Sequence, residues 1–281
     1  MSEETRVSTD QQTPTRVVGS YIYGIIRAGQ RIPEGLEPIP RGDEAGGLGL
    51  VTHGDLAAVV SDVSTDKPLG TRRDLLAHEQ VLNANAQDAA VLPMRFGAVV
   101  TDDDAVAQEL LAPHGDYFVR ALESMDGLVQ FSLRGQYDES VVIGRIVEDD
   151  PEIQRLRDAV AGVDEDASYY DRIKLGEAVS QAMERVRTQD AEATVDALSR
   201  FAVSTAVKEV DGENGAVHVA FLVHRDHRTD FEQAVDGLGD EWEGRVALRL
   251  VGPTAAFDFL PEYEAPDSEA TVQGGPDRGQ D

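Results

Sequence analysis

The sequence predicts an α+β protein built as two units. Three observations carry that expectation. Short runs of β-branched and aromatic residues recur along the chain, and spans with helical spacing lie between them. Several of those spans open on a Thr or Asp that can cap a helix. The chain has 281 residues, enough for one large domain or two smaller ones, each with a buried core.

Residues 1–17 are polar and Thr/Gln-rich with no periodicity, and read as a disordered N-terminal tail. From Val18 the pattern is that of a strand, with Tyr21, Tyr23 and Ile25 alternating with Ile22, Gly24 and Ile26. Residues 28–46 carry Gly, Pro and charge and read as a loop. GLGLVTHGDLAAVVSDV (47–63) holds two apolar runs split at Gly54-Asp55, the pattern of a hairpin. Residues 71–90 turn helical: Thr71 and Asp74 form a capping box, and Leu75, Leu82, Ala86 and Ala89 share a face. VLPMRFGAVV (91–100) reads as a strand, with Pro93 confined to an edge or a strand start. On one strand, Met94 and Phe96 would lie on the same face. Thr101 to Asp104 supply a cap and favourable charge for the next helix, which Pro113 interrupts. LVQFSLRG (128–135) is a further strand. The first unit is thus residues 18–137, with helices on one face of a sheet.

The second unit is residues 138–261. Residues 138–162 read as helical, with Pro151 at a helix start. Residues 168–209 form the longest helical stretch, leaving open one helix or two on either side of Asp190. AVHVAFLVH (216–224) is apolar enough for a strand buried on both faces. Thr229 to Glu232 reads as a capping box, Gly239 as the helix stop, and RVALRLV (245–251) as a strand, completing a βαβ unit. Residues 262–281 form an acidic tail rich in Pro and Gly that reads as disordered.

The 25 Lys and Arg against 53 Asp and Glu leave a net charge of −28. Such a field repels phosphate, which argues against nucleic-acid binding and against an anionic lipid membrane. Lys67, Lys174 and Lys208 are the only lysines, and acids are spread over the whole chain. At about 1 M salt the Debye length is about 3 Å, so this self-repulsion is mostly screened. The composition therefore reads as that of a halophile's cytoplasmic protein. With no cysteine, disulfides, thiolate zinc sites and cysteine nucleophiles are excluded. No apolar run reaches the ~18 residues of a membrane span, and the N-terminus lacks a signal-peptide core.

The search for chemistry is negative. None of the six histidines stands at a metal-ligand spacing. His78 and Glu79 are neighbours on a helix without a third partner. His224 and His227 read as a solvated turn, and His218 as a hydrogen-bonded core residue. Phosphate-binding glycine loops and GxSxG are absent. With no nucleophile, base and orienter set, neither catalysis nor a cofactor is expected.

Four segments together are similar to the gas vesicle protein F/L family: YIYGIIRA (21–28), the hairpin 47–63, HEQVLNANAQDAAVLPMRFGAVV (78–100) and VGPTAAFDFLP (251–261). The third is the most specific. The resemblance implies an N-terminal modified ferredoxin-like domain and a C-terminal helical plus βαβ domain. It also implies a non-enzymatic accessory role in gas vesicle formation, with contacts to the hydrophobic shell protein (gas vesicle protein A) and to other accessory proteins, and a place as a minor vesicle component. The acidic, lysine-poor composition points to the L type of a halophilic archaeon. Thr254, Ala255 and Ala256 depart from more aromatic family versions, while Phe257 and Phe259 remain.

A shell subunit facing gas must carry an apolar surface that a soluble partner can cover. Leu92, Met94, Arg95, Phe96, Phe257 and Phe259 are the candidate partner-binding residues. Arg95 has two readings, a contact to an acidic partner group or an internal ion pair that fixes the strand. Met94 and Phe96 have two as well, core or interface. The competing function is a ferredoxin-like-fold enzyme or small-molecule sensor, since fold alone does not decide function. A coiled-coil structural role is disfavoured by the irregular heptads of 168–209.

Overall fold

The computed structural model describes residues 18–39, 47–64, 68–164 and 166–262. The expected tails, 1–17 and most of 262–281, lie outside the described residues.

Strand β1 (Val18–Arg27) pairs antiparallel with β3 (Leu56–Ser64), and β3 pairs with β2 (Leu48–His53). β2 and β3 form the expected hairpin, where Gly54 takes a φ of 57° in the left-handed region that favours glycine. Beyond β1 lie two short strands, β4 (Leu92–Pro93) and β5 (Val99–Val100), giving the order β2-β3-β1-β4. Pro93 thus sits on an edge, where its missing N–H costs nothing. A register shift between Ile22 and Gly24 breaks the simple alternation of β1. Tyr21, Tyr23 and Ile26 share one face, and Ile22 and Ile25 the other.

Helix α1 (Arg72–Ala86) covers the tyrosine face with Ala77, Val81 and Leu82. Its Thr71–Asp74 capping box is present. Leu75, expected on the buried face, is 43 % exposed, because Asp74, Ala77, His78 and Val81 face the sheet instead. The opposite face is covered by α2 (Asp103–Ala105), which runs on as a π-helical segment (Val106–Leu111), and by α3 (Gly115–Ser124). The cap is Asp102, whose side chain accepts the Ala105 N–H. Helices therefore cover both faces of this sheet rather than one, and β3 is almost continuously buried.

The second sheet has the order β7-β8-β6-β9 and is also antiparallel. Its strands are β6 (Leu128–Tyr137), β7 (Ser204–Val207), β8 (Gly215–His224) and β9 (Val246–Thr254). β6, read from sequence as the last strand of the first unit, lies at the centre of this second sheet. Helices α4 (Glu139–Asp149), α5 (Pro151–Val160), α6 (Tyr169–Leu198) and α7 (Arg228–Glu241) bury one face of it. α6 is one unbroken helix of 30 residues, about 45 Å long. The last residues of the expected helical stretch instead form β7, because their backbone groups pair with β8. α7 starts after a 3-10 turn with His227 at its cap, two residues before the expected cap at Thr229, and runs through Gly239 to Glu241. β8 and β9 both flank β6, so the βαβ unit is split by an intervening strand.

β8 is buried on both faces as expected. Val219, Phe221 and Val223 meet the helices, while Leu222 joins the core of the first unit. After β9 the chain returns to that unit. Ala256 enters its core, and Phe259 and Leu260 pack against it. The Ala255 N–H donates to Asn83 (3.1 Å), and the Tyr117 hydroxyl donates to the Pro261 carbonyl (2.7 Å). Arg225 crosses the seam the other way and donates to the carbonyl of Ala86 (3.1 Å) at the end of α1.

Candidate functional site

The segment Leu92-Pro-Met-Arg-Phe-Gly97 does not continue as one strand. The Met94 N–H donates to the Tyr23 carbonyl (2.8 Å), after which the chain loops out and returns with the Ile22 N–H on the Ala98 carbonyl (2.9 Å). Gly97 carries a φ of 90° at the crest of this loop. The loop sends Met94 and Phe96 to opposite sides of the sheet. Met94 packs against the core that holds Val106 and Phe118, and Phe96 against the tyrosine face. The period-two expectation fails because strand geometry stops at Pro93.

A buried polar post holds this loop. His78 is 3 % exposed, and its Nδ1 lies 2.8 Å from the Tyr21 hydroxyl. That hydroxyl accepts the Gly97 N–H (3.2 Å), so it can donate to His78. The ring also stacks on Tyr23 (5.8 Å) and meets Phe96 edge-on (5.6 Å). Burial pushes the imidazole below its ordinary range, opposed by a hydrogen bond to the Met94 backbone. Burial likewise pushes Tyr21 up. Two neutral rings thus fix both ends of the loop. The sequence signal was His78 on the apolar face of a helix. Its role could not be read without knowing that Tyr21 stands opposite.

Of the six candidate residues, Leu92 is buried in the core and Phe96 is half-buried against His78. Phe259 packs against the same core as Leu92. Arg95 is exposed, and no ion pair or side-chain hydrogen bond joins it to any described residue. Phe257 is 39 % exposed on the returning C-terminal segment. Leu92, Pro93 and Met94 line one wall of an apolar recess of about 220 Å³. His114, Tyr117, Phe118 and Leu260 complete it. Tyr117, Phe118 and Leu260 were not singled out from sequence. Tyr117 and Phe118 reach Met94 from α3, and Leu260 because the C-terminal segment folds back.

A second polar cluster lies under α6. The Tyr137 hydroxyl (2.7 Å) and the Arg245 guanidinium (2.6 Å) both donate to the Asp190 carboxylate. Arg245 also stacks over Trp242, 4.7 Å from the ring centre. Burial, then Asp190 itself, pushes the Tyr137 hydroxyl up. Asp190 is thus the anchor of one long helix. Among the described residues no group of three His, Asp or Glu side chains could hold a metal ion. No helix among them is long and apolar enough to cross a membrane.

Comparison with known proteins locates this architecture. The family profile of the gas vesicle synthesis protein GvpL/GvpF matches residues 19–261. The chain is similar to gas vesicle protein F of Streptomyces sp. (strain CB03234), 34 % identical over 86 % of this chain and 100 % of that protein. It is also similar to gas vesicle protein L of the same organism, 29 % identical over 85 % of this chain and 91 % of that one. The crystal structure of GvpF from Anabaena sp. PCC7120 superposes with a TM-score of 0.70. That pair is 23 % identical, over 88 % of this chain and 99 % of the other, and the likeness speaks for the fold.

Proposed function

The chain belongs to the GvpL/GvpF family of gas vesicle synthesis proteins, and from that premise we propose that it is a non-enzymatic accessory factor that shelters apolar gas vesicle building blocks during assembly. The partner we propose is the hydrophobic shell protein, gas vesicle protein A, with other accessory proteins as further partners. The protein would act in the cytoplasm and stay with the vesicle as a minor component. The observation that carries the reading is the apolar recess beside Met94, open at the surface of a chain whose net charge of −28 keeps a complex in water. Arg95 stands exposed next to it, which favours a contact to an acidic partner group over an internal ion pair. Leu92 and Phe259 would support the recess from the core side, Phe96 would hold the loop against His78 on the other side of the sheet, and Met94, Arg95 and Phe257 would meet the partner.

Two finer readings belong with this proposal. Both sheets place their first and third long strands centrally, with the second and fourth at the edges, which is the strand order of a split βαβ fold. We read the second unit as the more complete ferredoxin-like one, since in the first the described residues between β1 and β2 hold no crossover helix. The L type expected from composition draws no support from the identities, the F-named Streptomyces protein being the more similar of the two. The halophile reading rests on composition.

Co-purification of gas vesicle protein A with the full chain tests the proposal. Met94→Gln and Arg95→Ala should each weaken retention by about tenfold, roughly 1.4 kcal/mol, with the circular dichroism spectrum unchanged. Full retention by both variants would remove the recess from the interface.

A further inference from the structure

The geometry points to a second docking surface, on the C-terminal unit, that takes an extended, basic segment of a partner protein by strand addition along β7. It does not depend on the recess beside Met94.

β7 is an outer strand of the second sheet. Its ladder to β8 ends with the Lys208 N–H on the His218 carbonyl (2.8 Å). Alternation then turns the backbone groups of Ser204 and Ala206 toward β8 and those of Thr205 and Val207 away from it. No described residue pairs with that outer row. An unpaired row is a template for another strand unless shortness, charge or a cover blunts it. Here the strand is short, but exposed apolar residues stand at both its ends: Val203, just before it, is 54 % and Val207, its last residue, 60 % exposed.

Beside this edge runs a groove of about 850 Å³ between β7 and the C-terminal half of α6, with Ala191, Val195 and Val207 among its apolar lining. Its charge is one-sided. The Arg187 guanidinium is spent on Glu184 and on the carbonyls of Glu213 and Gly215, and Lys208 is spent on Asp258. Glu192 and Asp196, one turn apart on α6, line the groove with no described cation in ion-pair reach. A strand laid along Thr205 and Val207 would turn alternate side chains toward this groove. Apolar residues there find Val195 and Val207, and a Lys or Arg finds Glu192 and Asp196. A second copy of this chain, at −28, is repelled by the same rim.

The probe is a fluorescently labelled peptide of the repeat Thr-Val-Thr-Lys, which puts valine and lysine in turn on one face of the strand, titrated into the full chain and read by anisotropy, in a KCl buffer that keeps the protein folded. Binding is expected, with slowed amide exchange over residues 203–208. A glutamate-for-lysine peptide should not bind. Thr205→Pro removes the outward N–H and should weaken binding at least tenfold, as should Val207→Asp. The double variant Glu192→Gln/Asp196→Asn should weaken it about threefold or more. Asp171→Asn/Glu177→Gln, at the far end of α6, should leave it unchanged. If Thr205→Pro disturbs the circular dichroism spectrum, Val207→Asp decides. Absence of binding overturns the proposal. So does binding that survives in the folded edge variants, or that falls equally in the remote double variant, since either marks general charge attraction.

Discussion

His78 and Asp190 show how single polar side chains fix apolar architecture. A buried polar group that loses its partner costs more than the bond itself contributes. His78→Ala should therefore lower stability by about 2–4 kcal/mol, combining a cavity with a buried Tyr21 O–H left without an acceptor. The pH dependence follows from the lowered imidazole pKa. The folded state prefers the neutral ring, so the unfolded chain takes up the proton first. This contribution is complete above about pH 6.5 and is lost as pH falls toward the lower folded value. In urea titrations at about pH 7.5 and about pH 5, the loss on acidification should be smaller in His78→Gln than in the parent. An equal loss would place the titration elsewhere. Asp190→Ala leaves Arg245 and Tyr137 facing a void, and should cost about 3–5 kcal/mol by denaturant unfolding.

At the scale of elements, stability can be assigned to local signals where those signals proved sound. The α1 cap is one: Thr71→Ala removes the acceptor of the Asp74 N–H, and a drop of about 1 kcal/mol in unfolding free energy is expected. The same comparison shows what was legible. The hairpin at Gly54, the α1 cap, Pro151 at a helix start and the doubly buried β8 all followed from local chemistry. What failed depended on partners distant in sequence. β6 looks like any half-buried strand, and nothing within it says which sheet it joins. β7 continues the helical spacing of Leu198, Ala202 and Thr205, and only pairing with β8 reveals that its β-branched Thr205 and Val207 sit in a strand. Met94 and Phe96 part company because Tyr23 and Tyr21 seize the backbone on either side of a loop. The candidate site was half legible: the segment Leu92–Gly97 stood out, while its far wall comes from α3 and from Leu260.

For the whole molecule, the excess of carboxylates sets the conditions under which the fold holds. Exposed acids repel over about 10 Å at 0.1 M salt and over about 3 Å at 1 M. The urea midpoint should therefore rise steadily from 0.1 M to 2 M KCl, with far-UV circular dichroism reporting loss of structure at the dilute end. A flat response would assign the chain to ordinary acidic proteins. The two units do not respond separately in this picture, since Arg225, Asn83 and Tyr117 each tie one to the other.

The return of Ala256, Phe259 and Leu260 to the core of the first unit also has a consequence for synthesis. That core joins Ile22 on the first strand to Ala256 and Leu260, which are synthesised only after the whole second unit. While the ribosome works through the helices of the second unit, the wall that Leu260 will complete stands open to whatever greasy surface is nearby. Only a chain translated past Leu260 can seal it, so a product interrupted before that point would emerge sticky rather than merely short.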